Sequence, residues 1–206
     1  MHLLRVFYDP LIRSTMPDDK FRRLVLAPAR MTGANRVLDI GCGTGAHAML
    51  IKRDHPGIQV DAVDDDREAI NLAKERAAKQ AVRVAFRRGN ATDLPFEDGA
   101  FDHVFSSLMF HHLGRGDKRR ALSEIFRVLR PQGCFHLADF TRPNNWRMGL
   151  AFYLIRATHK NAWLEDNIRG ALSMLIREAG FADLAEERIT PSFFGSVGIF
   201  HACKPA

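Results

Sequence analysis

A glycine-dense turn between an apolar run and an amphipathic one constrains this chain more than any other feature: Val37-Leu38-Asp39-Ile40-Gly41-Cys42-Gly43-Thr44-Gly45. The run over 36–40 reads as a strand, and 45–54 as a helix that opens on glycines. Without a Cβ, glycine lets the backbone approach a ligand closely. At the carboxyl end of the first strand of an α/β sheet, that ligand is expected to be nucleotide-like. The loop does not choose among nucleotides, because Gly41, Gly43 and Ala46 also fit the G-x-G-x-x-A spacing of dinucleotide sites.

Downstream, short apolar runs alternate with longer amphipathic ones, the rhythm of a βαβα chain. Strands are expected over 58–64, 82–87, 101–107 and 133–140. Helices are expected over 18–31, 66–80, 117–129 and 167–179, with Asp117 as an N-cap. The last two strands, 184–189 and 197–202, have no room for a helix between them. They must therefore be antiparallel neighbours on an otherwise parallel sheet, since a parallel crossover needs about a dozen residues.

At 206 residues, 46% hydrophobic and 26% charged, the chain has the size and composition of one packed domain. The reading divides it into an N-terminal helical cap (1–35), a cofactor-binding core (36–140), a lid-like insertion (141–170), and a final helix with an antiparallel strand pair (171–206). No stretch of about 18 apolar residues suggests a membrane span. The amino terminus is broken by Arg5 and Asp9 and does not read as a secretory signal. Three cysteines, Cys42, Cys134 and Cys203, lie far apart without a CxxC pair. That spacing argues against a disulfide framework and against a metal site, and points to a reducing, cytoplasmic setting.

Charge begins to separate the nucleotide classes. A pyrophosphate sits against the helix amino terminus, where Asp39 is an unhelpful neighbour. A ligand with a cationic amino and sulfonium end gains from that acid. The second strand ends in Asp64-Asp65-Asp66, where a carboxylate can take both hydroxyls of a ribose, at about 1.5–3 kcal/mol per charge-assisted bond. Three acids in a row disfavour a 2′-phosphate.

With VLDIGCGTG, Asp64, the segment GNATDLPFEDGAFDHVFSS and the VLRPQG turn in order, residues 33–140 resemble the class I S-adenosylmethionine-dependent methyltransferases. The S-S-L-x-x-H-H-L run and the LPF segment are similar to those of the small-molecule enzymes of ubiquinone and menaquinone biosynthesis. The resemblance implies a Rossmann-like, doubly wound, seven-stranded sheet with strand seven antiparallel and helices on both faces. It also implies S-adenosyl-L-methionine as cofactor. Asp39, Gly41, Gly43 and Gly45 would then hold the methionine end and Asp64 the ribose. Asp65 would lie near the adenine, Asn90 and Ala91 would meet the adenine edge, and Ser107 would border the methyl group. Plainer roles stay open beside these: Asp64 as a helix N-cap, Asn90 as a loop cap, Ser107 as a strand end.

Methyl transfer from a sulfonium needs alignment above all, with a base only where the acceptor must lose a proton. His111, His112, Asp139, Tyr8 and His159 are the candidates, and the His111-His112 pair directly after the fourth strand leads. The alternative for that pair is packing of the following turn. No N/D-P-P-Y/F follows the fourth strand, where base-flipping methyltransferases carry it, so a nucleic-acid substrate is disfavoured despite a net charge of +6. The expected acceptor is a small or lipid-like molecule. An NAD-dependent oxidoreductase and a catalytically silent nucleoside-binding module are the alternatives. Peripheral membrane contact and a homodimer are left open by the two-sided apolar segment 144–170.

Overall fold

Parallel strands buried on both faces must be apolar on both, and β1 (Arg36–Ile40) meets that demand with four buried residues in five. In the computed structural model, which describes residues 18–33, 35–141, 166, 167, 169–192 and 195–206, β1 lies inside a seven-stranded sheet. The other strands are β2 (Gln59–Asp64), β3 (Ala85–Arg88), β4 (Phe101–Ser107), β5 (Leu129–Thr141), β6 (Ala182–Ser192) and β7 (Gly195–Cys203), in the order β3-β2-β1-β4-β5-β7-β6. β7 runs antiparallel to both β5 and β6, as the short connection requires. The chain reverses its direction of winding between β1 and β4, and that switch point places the crevice at the carboxyl ends of the two strands.

Alternation sorts the side chains to two cores. Val37, Ala62, Phe105, Ala138 and Ile199 face one way, under α1 (Asp18–Leu26), α2 (Ala46–Asp54) and α3 (Arg67–Lys79). Leu38, Val63, Val104, Leu137 and Phe200 face the other, under α4 (Arg115–Val128) and α5 (Ala171–Glu178). Helices thus cover both faces. Asp66 caps α3 by accepting from the amides of Glu68 and Ala69, so the capping role once open to Asp64 belongs to its neighbour.

Several boundaries differ from the sequence reading. α1 ends at Leu26, five residues early. α4 starts at Arg115 behind Gly114, which leaves Asp117 in its first turn and not at the N-cap. β5 begins at Leu129, directly off α4, because Leu129 pairs with Phe101 before a register shift. α5 begins at Ala171 behind a left-handed Gly170. Most of the 1–35 cap and of the 141–170 insertion, with Tyr8 and His159, lies outside the described residues.

The cysteine reading is overturned. Cys134 and Cys203, 69 residues apart, form a disulfide. They stand opposite each other across β5 and β7, flanked by the bond from the Lys204 amide to the Gly133 carbonyl. That makes them a non-hydrogen-bonded antiparallel pair, where side chains come closest. Sequence spacing could not exclude a bridge that strand register creates, and the argument from cysteines to a reducing setting falls with it. Beside the bridge, His103, His136 and His201 line up across β4, β5 and β7. Burial lowers the pKa of each, most strongly at His136.

Candidate active site

The glycine loop is folded by its own backbone. The amides of Gly41 and Cys42 donate to the Val63 carbonyl at 2.9 and 3.1 Å, and the Gly45 amide to the Cys42 carbonyl at 2.9 Å. Gly41 and Gly43 adopt φ of +68° and +51°, a region that L side chains rarely visit. A Cβ on Gly41 would strike Met109 Cγ at 2.4 Å, whereas one on Gly43 would meet nothing within 4 Å. Gly41 is therefore shaped by packing against the segment after β4. Among the described residues, Gly43 faces open space, as a ligand cradle must.

Two acids flank this loop. Asp64 accepts from the Gly43 amide at 2.8 Å and the Asp66 amide at 2.9 Å, one bond on each oxygen, so each oxygen retains a lone pair for a further donor. Burial raises its pKa above the ordinary carboxylate value. Asp39 is only 1% exposed. His47 Nδ1 stands 3.5 Å from its Oδ1, and its Oδ2 has no hydrogen-bond partner among the described residues. A buried carboxylate oxygen without a donor is costly unless a ligand supplies one, and the ammonium of an amino acid moiety would. Cys42, between these acids, is buried, and burial pushes its thiol well above the usual range, with Asp39 and Asp64 adding to the shift. It is a filler and not a nucleophile.

The rim continues around the crevice. Asp65 is exposed at the β2 end. Asn90 is also exposed, and its carbonyl oxygen already accepts from both the amide and the hydroxyl of Thr92 at 2.9 Å. That oxygen is thus engaged in a turn, the loop-cap role left open by the sequence, and the Asn90 side-chain amide is the group left to offer to a ligand. Ala91 is half-buried beside it. Ser107 ends β4, and its buried Oγ has no partner among the described residues. Leu108 follows at φ +54°, a strained conformation for a side chain with a Cβ. It is held there by a 2.8 Å bond from its amide to the Ala138 carbonyl.

Past that kink, a short 3-10 turn, Phe110–His112, aims His111 at β5. His111 Nδ1 lies 3.0 Å from Asp139 Oδ1, and its amide donates to Asp139 Oδ2 at 3.2 Å. Asp139 is fully buried and also accepts from the Phe140 amide at 2.7 Å and Asn167 Nδ2 at 3.2 Å. An ionised carboxylate only accepts, so Nδ1 carries the proton and Nε2 the lone pair. His112 is exposed, its ring centroid 3.9 Å from that of His111. Lys118 is fully buried on α4; burial lowers its pKa, and the charges of Asp166 and Asp139 oppose that shift. Sequence reasoning raised Asp139 without its partner; the pairing depends on the Leu108 kink, which no local pattern announces.

A groove of about 660 Å³ elsewhere is lined by Arg36, Lys52, Lys74 and Arg87, among others, against β2 and β3. It shares no residue with the carboxyl-end crevice.

Residues 37–133 match the family model described as a methyltransferase domain. The chain is 30% identical over 205 residues to a ubiquinone/menaquinone biosynthesis C-methyltransferase of Desulfotalea psychrophila, covering 91% of this chain and 80% of that protein. It is 33% identical over 147 residues to a demethylmenaquinone methyltransferase of Thermus thermophilus, covering 70% of this chain and 66% of the relative. Among solved structures, phosphoethanolamine N-methyltransferase 2 of Haemonchus contortus in complex with S-adenosyl-L-methionine aligns at a TM-score of 0.75 and 21% identity. That alignment covers 91% of this chain and 53% of the other. The Asp39 oxygen that has no partner among the described residues, the open cradle at Gly43 and the spare acceptor capacity of Asp64 suit that cofactor's ammonium, chain and ribose. The chain belongs to the class I S-adenosylmethionine-dependent methyltransferases, related to the enzymes of quinone biosynthesis.

Proposed function

We propose that the chain methylates a small organic acceptor whose nucleophile is an enol- or phenol-type acid, with His111 removing its proton. The Asp139–His111 pair carries this reading. A carboxylate that fixes the ring tautomer leaves Nε2 as a base, the arrangement that general-base catalysis calls for. The cofactor supplies an activated methyl group on sulfur. Asp39 and the Gly41–Gly45 loop take its methionine end, Asp64 accepts from the ribose, Asp65, Asn90 and Ala91 border the adenine, and Ser107 borders the methyl group. Loss of the acceptor proton puts electron density on oxygen or on the conjugated carbon, either of which can attack. His112, outside the grip of Asp139, is assigned no proton transfer.

The quinone-biosynthesis relatives favour a hydroquinone-like acceptor over an amine, since an amine free base needs no such pair. No helix among the described residues is long and apolar enough to cross a membrane, and the cytoplasm is the proposed compartment. The test is incubation of the purified chain with methyl-deuterated S-adenosylmethionine and, in parallel, a demethylmenaquinol, a simple phenol panel and an amine panel, read by mass spectrometry. Label on a hydroxylated ring supports the reading. Label on amines, undiminished in His111→Gln, refutes it.

A further inference from the structure

β5 and β7 carry mirror-image motifs, Cys134-x-His136 and His201-x-Cys203. Antiparallel register pairs Cys134 with Cys203 and His136 with His201, and residues two apart on a strand share a face. Two cysteines and two histidines thus form a square on one side of the sheet, at the amino-terminal end of β4 and away from the methyltransferase crevice. Cys134 Sγ, Cys203 Sγ and a His201 ring nitrogen all lie within 4.8 Å of one another and are half-buried. His201 Nε2 stands 3.6 Å from Cys203 Sγ. Metal–sulfur and metal–nitrogen bonds of about 2.3 and 2.0–2.1 Å at tetrahedral angles put neighbouring ligand atoms about 3.5–3.8 Å apart. That nitrogen already stands at the required separation.

Hydrogen bonds orient it. His103 Nδ1 lies 3.2 Å from His136 Nε2. In the tautomer that aims the His201 lone pair at the cysteines, His136 Nε2–H donates to His103 Nδ1. His136 Nδ1 is then an acceptor, 3.2 Å from His201 Nδ1, which therefore carries its proton. The lone pair of His201 is left on Nε2, facing the cysteine pair. A disulfide needs no such relay, whereas a metal-binding histidine is regularly fixed through its other nitrogen.

We infer that, once the disulfide is reduced, Cys134 Sγ, Cys203 Sγ and His201 Nε2 form a site for a thiophilic divalent cation of the zinc class, with water or an external ligand as the fourth donor. A dithiol reductant supplies two electrons and two protons, opening the bridge to two thiols and leaving as its own disulfide. Cation binding then displaces the two thiol protons. The bridged and metal-bound states exclude each other. His136 is a positioning residue.

The experiment titrates Co(II), then Zn(II), into the full chain before and after reduction with dithiothreitol and its anaerobic removal. The reduced protein should bind one Co(II) with a thiolate charge-transfer band that Zn(II) abolishes, and the bridged protein should show none. Cys134→Ser and Cys203→Ser should each weaken the band, and their combination should remove it. His201→Ala should lower affinity at least 10-fold, and His136→Leu about 10- to 100-fold while leaving the thiolate band's position unchanged. Circular dichroism follows folding throughout. If reduction unfolds the chain, Zn(II) must restore the native spectrum. No stoichiometric band in folded reduced protein, a band that survives in the double serine variant, or a failure of Zn(II) to refold an unfolded reduced chain overturns the inference.

Discussion

Two histidine centres sit at opposite ends of β4 and β5, and their partners set them apart. At the carboxyl end, His111 is paired with the buried carboxylate of Asp139 and borders the cofactor crevice. At the amino end, three residues and about 10 Å back along β5 from Asp139, His136 bonds to both His103 and His201. Burial, the largest cause in each case, lowers the pKa of all three and so favours their neutral forms. A ring held by a carboxylate tolerates the charge that proton removal puts on it. A ring held by other rings in an apolar layer, with His136 stacked on Phe105 at 4.5 Å, does not. The same residue type thus serves proton transfer at one rim and, in our reading, fixed geometry at the other.

The largest test of that contrast is His111→Gln. Loss of a general base should lower kcat by about 10²–10⁴-fold, with S-adenosylhomocysteine affinity within a few-fold of the parent by calorimetry. Adding Asp139→Asn should lower it little further, since the two act as one unit. Independent, multiplying losses would separate the pair. Next is Asp64→Ala, which removes an acceptor from the ribose. Cofactor affinity should fall by about 1.5–3 kcal/mol, or roughly 10- to 150-fold, and unchanged binding in folded protein would return Asp64 to a loop-holding role.

His103→Leu examines the other rim. It leaves His136 Nε2 without its partner and should destabilise the fold by about 1–3 kcal/mol in urea unfolding, with kcat unaffected. A kcat loss without a stability loss would erase the division of labour. The smallest effect is in the pH profile. Burial raises the Asp64 pKa, and only its ionised form accepts both ribose hydroxyls. As pH falls, Asp64 protonates before an ordinary carboxylate does, so S-adenosylhomocysteine affinity should begin to drop above the usual value of 3.8. Asp64→Asn should flatten that acid limb.

The cofactor rim was legible in the sequence because its signals are local. The strand, the glycines and the acid at the β2 end are adjacent residues whose backbone demands fix their neighbours. The antiparallel β7 followed from a length argument alone. What was not legible depends on register and on irregular backbone. The Cys134–Cys203 bridge exists because β5 and β7 pair at one particular offset, and a one-residue slip would turn each cysteine to the opposite face. The motif pair C-x-H and H-x-C on two strands already expected to be antiparallel was the available clue. The Asn90 carbonyl oxygen is occupied by a turn to Thr92, the loop-cap role that the sequence left open beside the adenine contact. Asp117 lost the N-cap to Gly114 because the Leu108 kink and the 3-10 turn bring the chain into α4 two residues sooner.

The most direct test of the division between the two rims is a backbone ¹H–¹⁵N correlation spectrum of the bridged protein, recorded as S-adenosylhomocysteine is added. The account predicts the largest shifts at Gly41–Gly45, Asp64, Asp65, Asn90, Ala91 and Ser107, with smaller ones at His111. Cys134, His201 and Cys203 should stay in place. Shifts centred on the amino-end histidines, with the glycine loop unmoved, would contradict it.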